Sequence, residues 1–406
     1  MNGHDAERVG ANETHSRVSI AVESTLACQK RLFRLEEGAH FLNCAYLGPL
    51  PRSVAEAGME GIRRKCSPTP FPSEAFFTDC GRARERFGRL VNAPPERIAL
   101  APSASYGIEV AARNLPLEPG QNIVVLGEQF PSNVYAWQRQ AAAHGCDVRT
   151  VDRPGPPPSA ALWNERLLEA IGPGTAVVAL PHCHWTDGTR IDLESAGERA
   201  REVGAALVVD GSQSVGAVPF DVENIRPDAL ITVGYKWLLG PYSTAFGYYG
   251  ARFDDGAPLE ETWISRRGSE DFQGLVDYTD EYREGAARYD VGQTSNFILI
   301  PMLIEALDLI LAWGPANILE YCRALLAGLA DELRVRGWAI EDDEWRTGNI
   351  LGVRLPVGCD LAEVDARLAE ARVYASLRGD ALRVSPNVYN EPRDIDALRQ
   401  VLAILA

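Results

Sequence analysis

The chain has 406 residues, 46% of them apolar, and a formal charge of −16 at pH 7. That length and composition suit a large α/β domain with a smaller companion. The acidic balance argues against nucleic acid or an anionic membrane as the main partner, yet leaves room for an anionic cofactor held by local N–H groups.

Residues 1–19 are polar, lack the apolar core of a secretory signal, and read as a disordered leader. The eight cysteines (28, 44, 66, 80, 146, 183, 322 and 359) show no metal spacing and read as reduced thiols, so the expected compartment is the cytoplasm. The most apolar stretch, 297–313, is interrupted by Pro301, Glu305 and Asp308, which marks a core helix and not a membrane span.

An amphipathic helix is expected over 20–34, in an N-terminal segment (20–40) that packs with the smaller domain. F-L-N-C-A-Y-L-G-P-L-P, residues 41–51, reads as an extended turn punctuated by Gly48, Pro49 and Pro51. Apolar spacing predicts helices over 51–65 and 73–90. A strand at 97–101 leads through Ser103, Ala104 and Ser105 into a helix over 107–114. A helix start of this kind offers free N–H groups and hydroxyls to a phosphate, and an ordinary Ser cap accounts for the same residues. Strand 122–126 delivers Phe130, fixed in direction by Pro131, as a stacking surface or as core. A strand at 145–150, a Pro-rich loop at 153–159 and a buried strand at 176–180 follow. The last ends in P-H-C-H-W-T; His182 and His184 have no third ligand in view, so no metal is expected.

After a helix over 193–203, two short apolar runs at 207–209 and 229–233 read as buried parallel strands. The first ends on Asp210, followed by G-S-Q. The second delivers G-Y-K-W-L-L-G-P, with Lys236 26 residues beyond the acid. In an open α/β sheet, chemistry gathers past the carboxyl ends of such strands. Taken singly, the pair is a helix-capping Asp and a surface Lys. In an apolar setting, it meets the needs of pyridoxal 5′-phosphate. The lysine forms a Schiff base with the cofactor aldehyde, and the acid keeps the pyridine nitrogen protonated. Desolvation favours the neutral, nucleophilic amine.

Residues 252–290 form a polar, aromatic-bearing region with weak periodicity, expected as loops near a dimer interface. It ends in V-G-Q-T-S-N-F, where a helix cap before 297–312 is also possible. A smaller α/β domain is expected from about 315, with helices over 319–336 and 361–371 and strands at 338–341 and 350–354. It closes on L-R-V-S-P-N-V-Y-N, residues 382–390. Arg383 has the bidentate geometry a carboxylate needs, and Arg378 is the alternative.

On D-G-S-Q, G-Y-K-W and L-R-V-S-P-N-V-Y-N, the chain from about residue 41 onward resembles the class V aminotransferase family. These fold-type I enzymes include cysteine desulfurases, kynureninases and isopenicillin N epimerase-like proteins. The resemblance implies a large pyridoxal phosphate-binding domain (41–314) with a mainly parallel central sheet, and a smaller C-terminal α/β domain (315–406). It implies catalytic roles for Lys236 and Asp210, a phosphate grip from Ser103, Ala104 and Ser105, and ring stacking by Phe130. Gln213, with Ser212 beside it, is implied at the phenolic oxygen, and Tyr235 at the phosphate. Asn43 and Arg383 are implied in substrate binding, while His184, Trp185 or Thr186 is implied at the cofactor oxygen. Thr294, or Ser295, is implied to reach the partner's phosphate site in a homodimer. Asn133 stands where a kynureninase-type segment has an acid.

The activity implied is an aminotransferase or an amino-acid lyase (β-elimination, including C–S cleavage). Residues 373–382 contain no cysteine, where the family's desulfurases carry their persulfide thiol. An epimerase, a kynureninase-like hydrolase, and a catalytically silent binding subunit of the same fold are the alternatives.

Overall fold

A computed structural model describes residues 26–69, 71–155, 158–355 and 360–404. The expected leader at 1–19, the first part of the helix expected over 20–34, and Cys359 lie outside the described residues. In the described remainder of that helix only a single 3-10 turn, Lys30–Leu32, forms.

The chain enters through strand β1 (His40–Phe41) and helices α1 (Arg52–Cys66) and α2 (Ala75–Val91). Strand β2 (Ile98–Ala101) and helix α3 (Ala104–Asn114) follow. Strands and helices then alternate as β3 (Asn122–Leu126), α4 (Tyr135–His144), β4 (Asp147–Val151), α5 (Ala160–Ala170) and β5 (Thr175–Pro181). Next come α6 (Leu193–Val203), β6 (Ala206–Asp210), α7 (Val222–Ile225), β7 (Ala229–Val233) and β8 (Ala245–Tyr249). The C-terminal part contains α8 (Leu299–Trp313), α9 (Pro315–Val335), β9 (Leu351–Arg354) and α10 (Leu361–Glu370). It ends with β10 (Val373–Tyr374), β11 (Ser376–Arg378), β12 (Ala381–Val384) and α11 (Pro392–Ile404).

Seven strands form the main sheet in the order β2-β8-β7-β6-β5-β3-β4. It is parallel from β4 to β7, while β8 runs antiparallel to both of its neighbours. Successive residues feed opposite faces. Val124, Val178, Leu207 and Val209 join the apolar cluster on one side, and Ile123, Val177, Ala206 and Val208 join the other. Both faces are thus covered, which explains why these strands read as unbroken apolar runs.

Capping sets the helix bounds. Ser103 Oγ accepts a hydrogen bond from the Tyr106 N–H, so α3 starts three residues earlier than the sequence suggests. Gly145 closes α4 in the left-handed conformation (φ 68°), which moves the strand expected from 145 to Asp147–Val151. The strand expected at 338–341 is reduced to one bridge between Ala339 and Arg354. Residues 252–290 fold into 3-10 turns, pinned by the buried Arg84–Asp290 pair. Among the described residues no single helix is long and apolar enough to cross a membrane, although α8 and α9, bent by 72°, reach that length and composition together.

A second sheet, β11-β12-β9, encloses its own cluster of Leu326, Leu351, Leu382 and Val384, joined by Leu42 from the N-terminal segment. The two sheets meet along the loop after β5. Gly352 of β9 donates its N–H to Asp187 O at 2.9 Å, and a side chain there would place its Cβ 2.1 Å from the Asp187 Cβ. Gly352→Ala must therefore open this seam, at a cost of about 1–3 kcal/mol. The expected result is a lower melting temperature in thermal denaturation; an unchanged one contradicts the close packing.

Candidate active site

The carboxyl ends of the parallel strands converge on a cavity of about 210 Å³. Its wall takes Ser103, Ala104 and Ser105 from the start of α3, and Phe130 from the loop after β3. The β6 end adds Asp210, Ser212 and Gln213, and the β7 end adds Tyr235 and Lys236. Adjacent pairing of β6 and β7 brings the acid and the amine to one end of the sheet.

Lys236 sits on a closed turn: Gly234 N–H donates to Thr244 O, and Gly240 N–H donates to Gly234 O, both at 2.8 Å. The segment 41–51 braces this turn from outside, with Gly48 N–H donating to Tyr235 O at 2.8 Å. A Cβ at Gly48 would lie 2.3 Å from the Lys236 carbonyl oxygen, so the backbone approach demands glycine. The Lys236 Nζ lies 5.3 Å from the Phe130 ring centre and 5.7 Å from that of Tyr235. Burial depresses this amine to about 8; Asp210 opposes the shift, and Arg383 and Arg378 add to it. The chain's other two lysines are differently placed: Lys30 pairs with Glu391 at 2.9 Å, and Lys65 is exposed on α1.

The Asp210 carboxylate accepts the Ser212 N–H at 2.9 Å and is otherwise turned to the cavity it lines. Ser212 Oγ is buried without a hydrogen-bond partner. The Gln213 side chain accepts from Trp237 Nε1 and donates to Ala45 O, both at 3.1 Å, which leaves one N–H of its amide for a ligand. Ser103 and Ser105 hydroxyls lie 2.9 Å apart at the α3 N-terminus, whose first N–H groups have no partner within the helix. Phe130 remains 37% exposed and meets Trp185 edge-on at 5.5 Å, so its face is available to a planar ligand.

Arg383 is 1% exposed, lies behind Trp185 and not among the residues lining the cavity, and forms no ion pair among the described residues. Its Nη1 donates to Trp185 O at 2.7 Å, while Nε has no partner. Burial, with the charge of Arg378, lowers this guanidinium to about 9. A buried cation left unpaired by the fold is a site for an anion.

Other sequence expectations fall outside the cavity. His184 is not a cavity residue: it is fully buried, its Nδ1 within 2.9 Å of Arg153 Nη2 and 2.8 Å of Thr186 Oγ1, its Nε2 3.3 Å from Gly127 O. Burial holds it at about 3, a neutral ring packed on Trp163, so it supports the loop from behind the residues that line the cavity. Trp185 is the member of the His184, Trp185, Thr186 trio that lines the cavity. His182 packs edge-on against Phe220, on a different partner from His184. Asn43 Oδ1 accepts from Ser376 Oγ at 2.9 Å, and Asn43 is buried and not among the residues lining the cavity. Asn133 is a buried packing residue whose Oδ1 accepts from Trp137. Thr294 lies away from its own chain's cavity, its hydroxyl buried without a partner beside α2. Gln129, Ser132, Tyr242 and Ser243 also line the cavity without a sequence expectation for it, as does Cys183, which the sequence offers only as a reduced thiol in P-H-C-H. Gln129 carried one usable signal, its place beside Phe130 past a strand end; loop closure alone brings in the others.

An amine and a carboxylate on adjacent strand ends, an anion-ready helix start and an aromatic face together define a fold-type I site for pyridoxal 5′-phosphate. The unpartnered Ser212 hydroxyl and the free Gln213 N–H fit the polar edge of that ring. The chain belongs to the aminotransferase class-V family, whose model matches residues 72–398. It is 28% identical over 383 residues to isopenicillin N epimerase from Streptomyces clavuligerus, covering 90% of this chain and 94% of that protein. It is 25% identical over 363 residues to kynureninase from Geobacillus thermodenitrificans, covering 82% and 83%. Among solved structures, a lysine-to-alanine mutant of C-DES with glycine covalently linked to its pyridoxal phosphate superposes with a TM-score of 0.80 at 19% identity, covering 93% of this chain and 99% of that one.

The Lys236 shift carries a pH signature. The folded protein loses this proton near 8, whereas the unfolded chain holds it to about 10.5, so burial of the ammonium costs stability below 8 and the cost fades between 8 and 10.5. Cofactor-free Lys236→Met is therefore expected to melt above the wild type at neutral pH, with the gap closing as pH rises toward 10.5. A gap that is constant with pH contradicts the burial of a charged amine.

Proposed function

We propose that the protein is a pyridoxal 5′-phosphate enzyme acting at the Cα of an α-amino acid, as an aminotransferase or an amino-acid lyase. The observation that carries this reading is Lys236, a buried amine depressed to about 8 in one cavity with Asp210 and the Phe130 face. When bound, the cofactor supplies an electron sink for bonds broken at Cα.

In this reading Ser103, Ala104 and Ser105 hold the phosphate through hydroxyls and helix N–H groups, with Tyr235 beside them. Asp210 accepts a hydrogen bond from the protonated ring nitrogen and keeps that proton in place. Ser212 and Gln213 bind the phenolic edge, and Phe130 covers one ring face. Arg383 takes the substrate carboxylate and orients the Cα–H bond, with Asn43 supporting that wall. Lys236, depressed to about 8, removes and returns the proton at Cα. The proposed domains are 41–314 and 315–406, working in the cytoplasm as a homodimer to which Thr294 contributes across the interface.

Two buried thiols near this cavity are poor nucleophiles: burial pushes Cys183 up to about 12 and Cys44 up to about 11, so both stay protonated. That favours chemistry without a persulfide cysteine. Epimerisation is the second reading, favoured by two isopenicillin N epimerase relatives that each align over 90% of this chain. The test is a screen of amino acids against the cofactor-loaded protein for a change in visible absorbance, with products identified by mass spectrometry and chiral chromatography. A 2-oxo acid identifies transamination or elimination, and a D-amino acid identifies epimerisation. Lys236→Ala is expected to lower turnover by about 10²–10⁴-fold. Full turnover in that variant would remove Lys236 from the chemistry.

A further inference from the structure

The β11–β12 hairpin sets Ser376 opposite Arg383 and Arg378 opposite Ala381. Side chains alternate between faces along a strand, so Arg378, two residues from Ser376, shares the face of Arg383 and is its diagonal neighbour. Such neighbours stand about 7–8 Å apart. Arg354 of β9, opposite Ala381, completes the same face.

These three cations are treated differently by the fold. Arg354 is neutralised by Asp187, at 3.2 Å, and by Asp380. Arg383 and Arg378 form no ion pair among the described residues. Arg378 is partly buried, donates through Nη1 only to Leu377 O at 2.7 Å, and holds its guanidinium 5.7 Å from the centre of the Trp185 ring, which lines the cavity. The charges of Arg378 and Arg383 both lower the Lys236 amine, so the pair lies within electrostatic range of it. Asp210 is the one carboxylate in the cavity wall. The carboxylate of a simple amino acid would compensate Arg383 and leave Arg378 unmatched.

We propose that the substrate is an α-amino acid bearing a second carboxylate or equivalent acidic group, and that Arg378 binds that second group beside Trp185. This specificity role rests on the functional reading above, in which Arg383 takes the α-carboxylate. A guanidinium held 5.7 Å from the ring of the cavity-lining Trp185 selects a planar two-oxygen anion more sharply than a lysine does.

The experiment measures binding by isothermal titration calorimetry, using unreactive probes: succinate, glutarate and adipate against butyrate, valerate and hexanoate. Protein loaded with pyridoxal phosphate is titrated in wild-type, Arg378→Gln and Arg383→Gln forms. The wild type is expected to bind at least one dicarboxylate tenfold or more tighter than the monocarboxylate of equal length. Arg378→Gln should erase that preference while keeping monocarboxylate affinity within about twofold, and Arg383→Gln should weaken both classes. Equal binding of both classes by the wild type overturns the proposal. So does a preference that survives in Arg378→Gln, or an equal loss of both classes there, which marks a packing role against Trp185. Failure of the underlying functional reading shows separately, as protein that takes up no cofactor colour.

Discussion

Burying a lysine amine beside a carboxylate, at the ends of two adjacent parallel strands, is the constraint to which the rest of this structure answers. An ammonium in that position is unfavourable, and Asp210 offsets the cost only in part. The result is an amine that loses its proton near pH 8, in a cavity whose remaining walls include an aromatic face and a helix start. The covered faces of β6 and β7 bury the strands that carry the pair, and their register brings both groups out at the same end of the sheet.

The second sheet is tied to this site by one loop and one extended segment. Residues 182–190 reach Arg383 through the Trp185 carbonyl, β9 through Asp187, and the main sheet through Arg153. Residues 41–51 run from β12, where Cys44 N–H donates to Ser385 O at 3.0 Å, to the Lys236 turn, where Gly48 allows backbone contact. Arg383 and Lys236 thereby share a rigid frame although they are far apart in sequence. In the proposed reading, a substrate carboxylate held by Arg383 would set the position of its Cα relative to Lys236, which is how positioning contributes to rate.

Much of this was legible in the chain, because strand ends announce themselves. Asp210 and Lys236 follow short β-branched runs, Phe130 and Ser103 follow others, and the local pattern suffices to put such residues at one edge of a sheet. Residues defined by long-range packing were not legible. His184 follows a strand end as a site residue would, but Arg153, 31 residues upstream, and Thr186 engage its ring. Trp185, one position on, lines the cavity because a turn after β5 points it there, and no periodicity encodes that turn. Strand β8 lay hidden because its antiparallel course breaks the β/α alternation that made its neighbours readable. The 338–341 stretch has strand-like residues but pairs at a single bridge, since tertiary contact decides such marginal cases.

In the proposed reading, one particular amine, that of Lys236, bonds covalently to the cofactor aldehyde. Reduction of the loaded protein with borohydride, followed by peptide mass mapping, tests it directly because the chain has only three lysines. The account predicts a pyridoxyl adduct on the peptide containing Lys236, with Lys30 and Lys65 unmodified. No adduct at Lys236, or labelling confined to the other two, would contradict it.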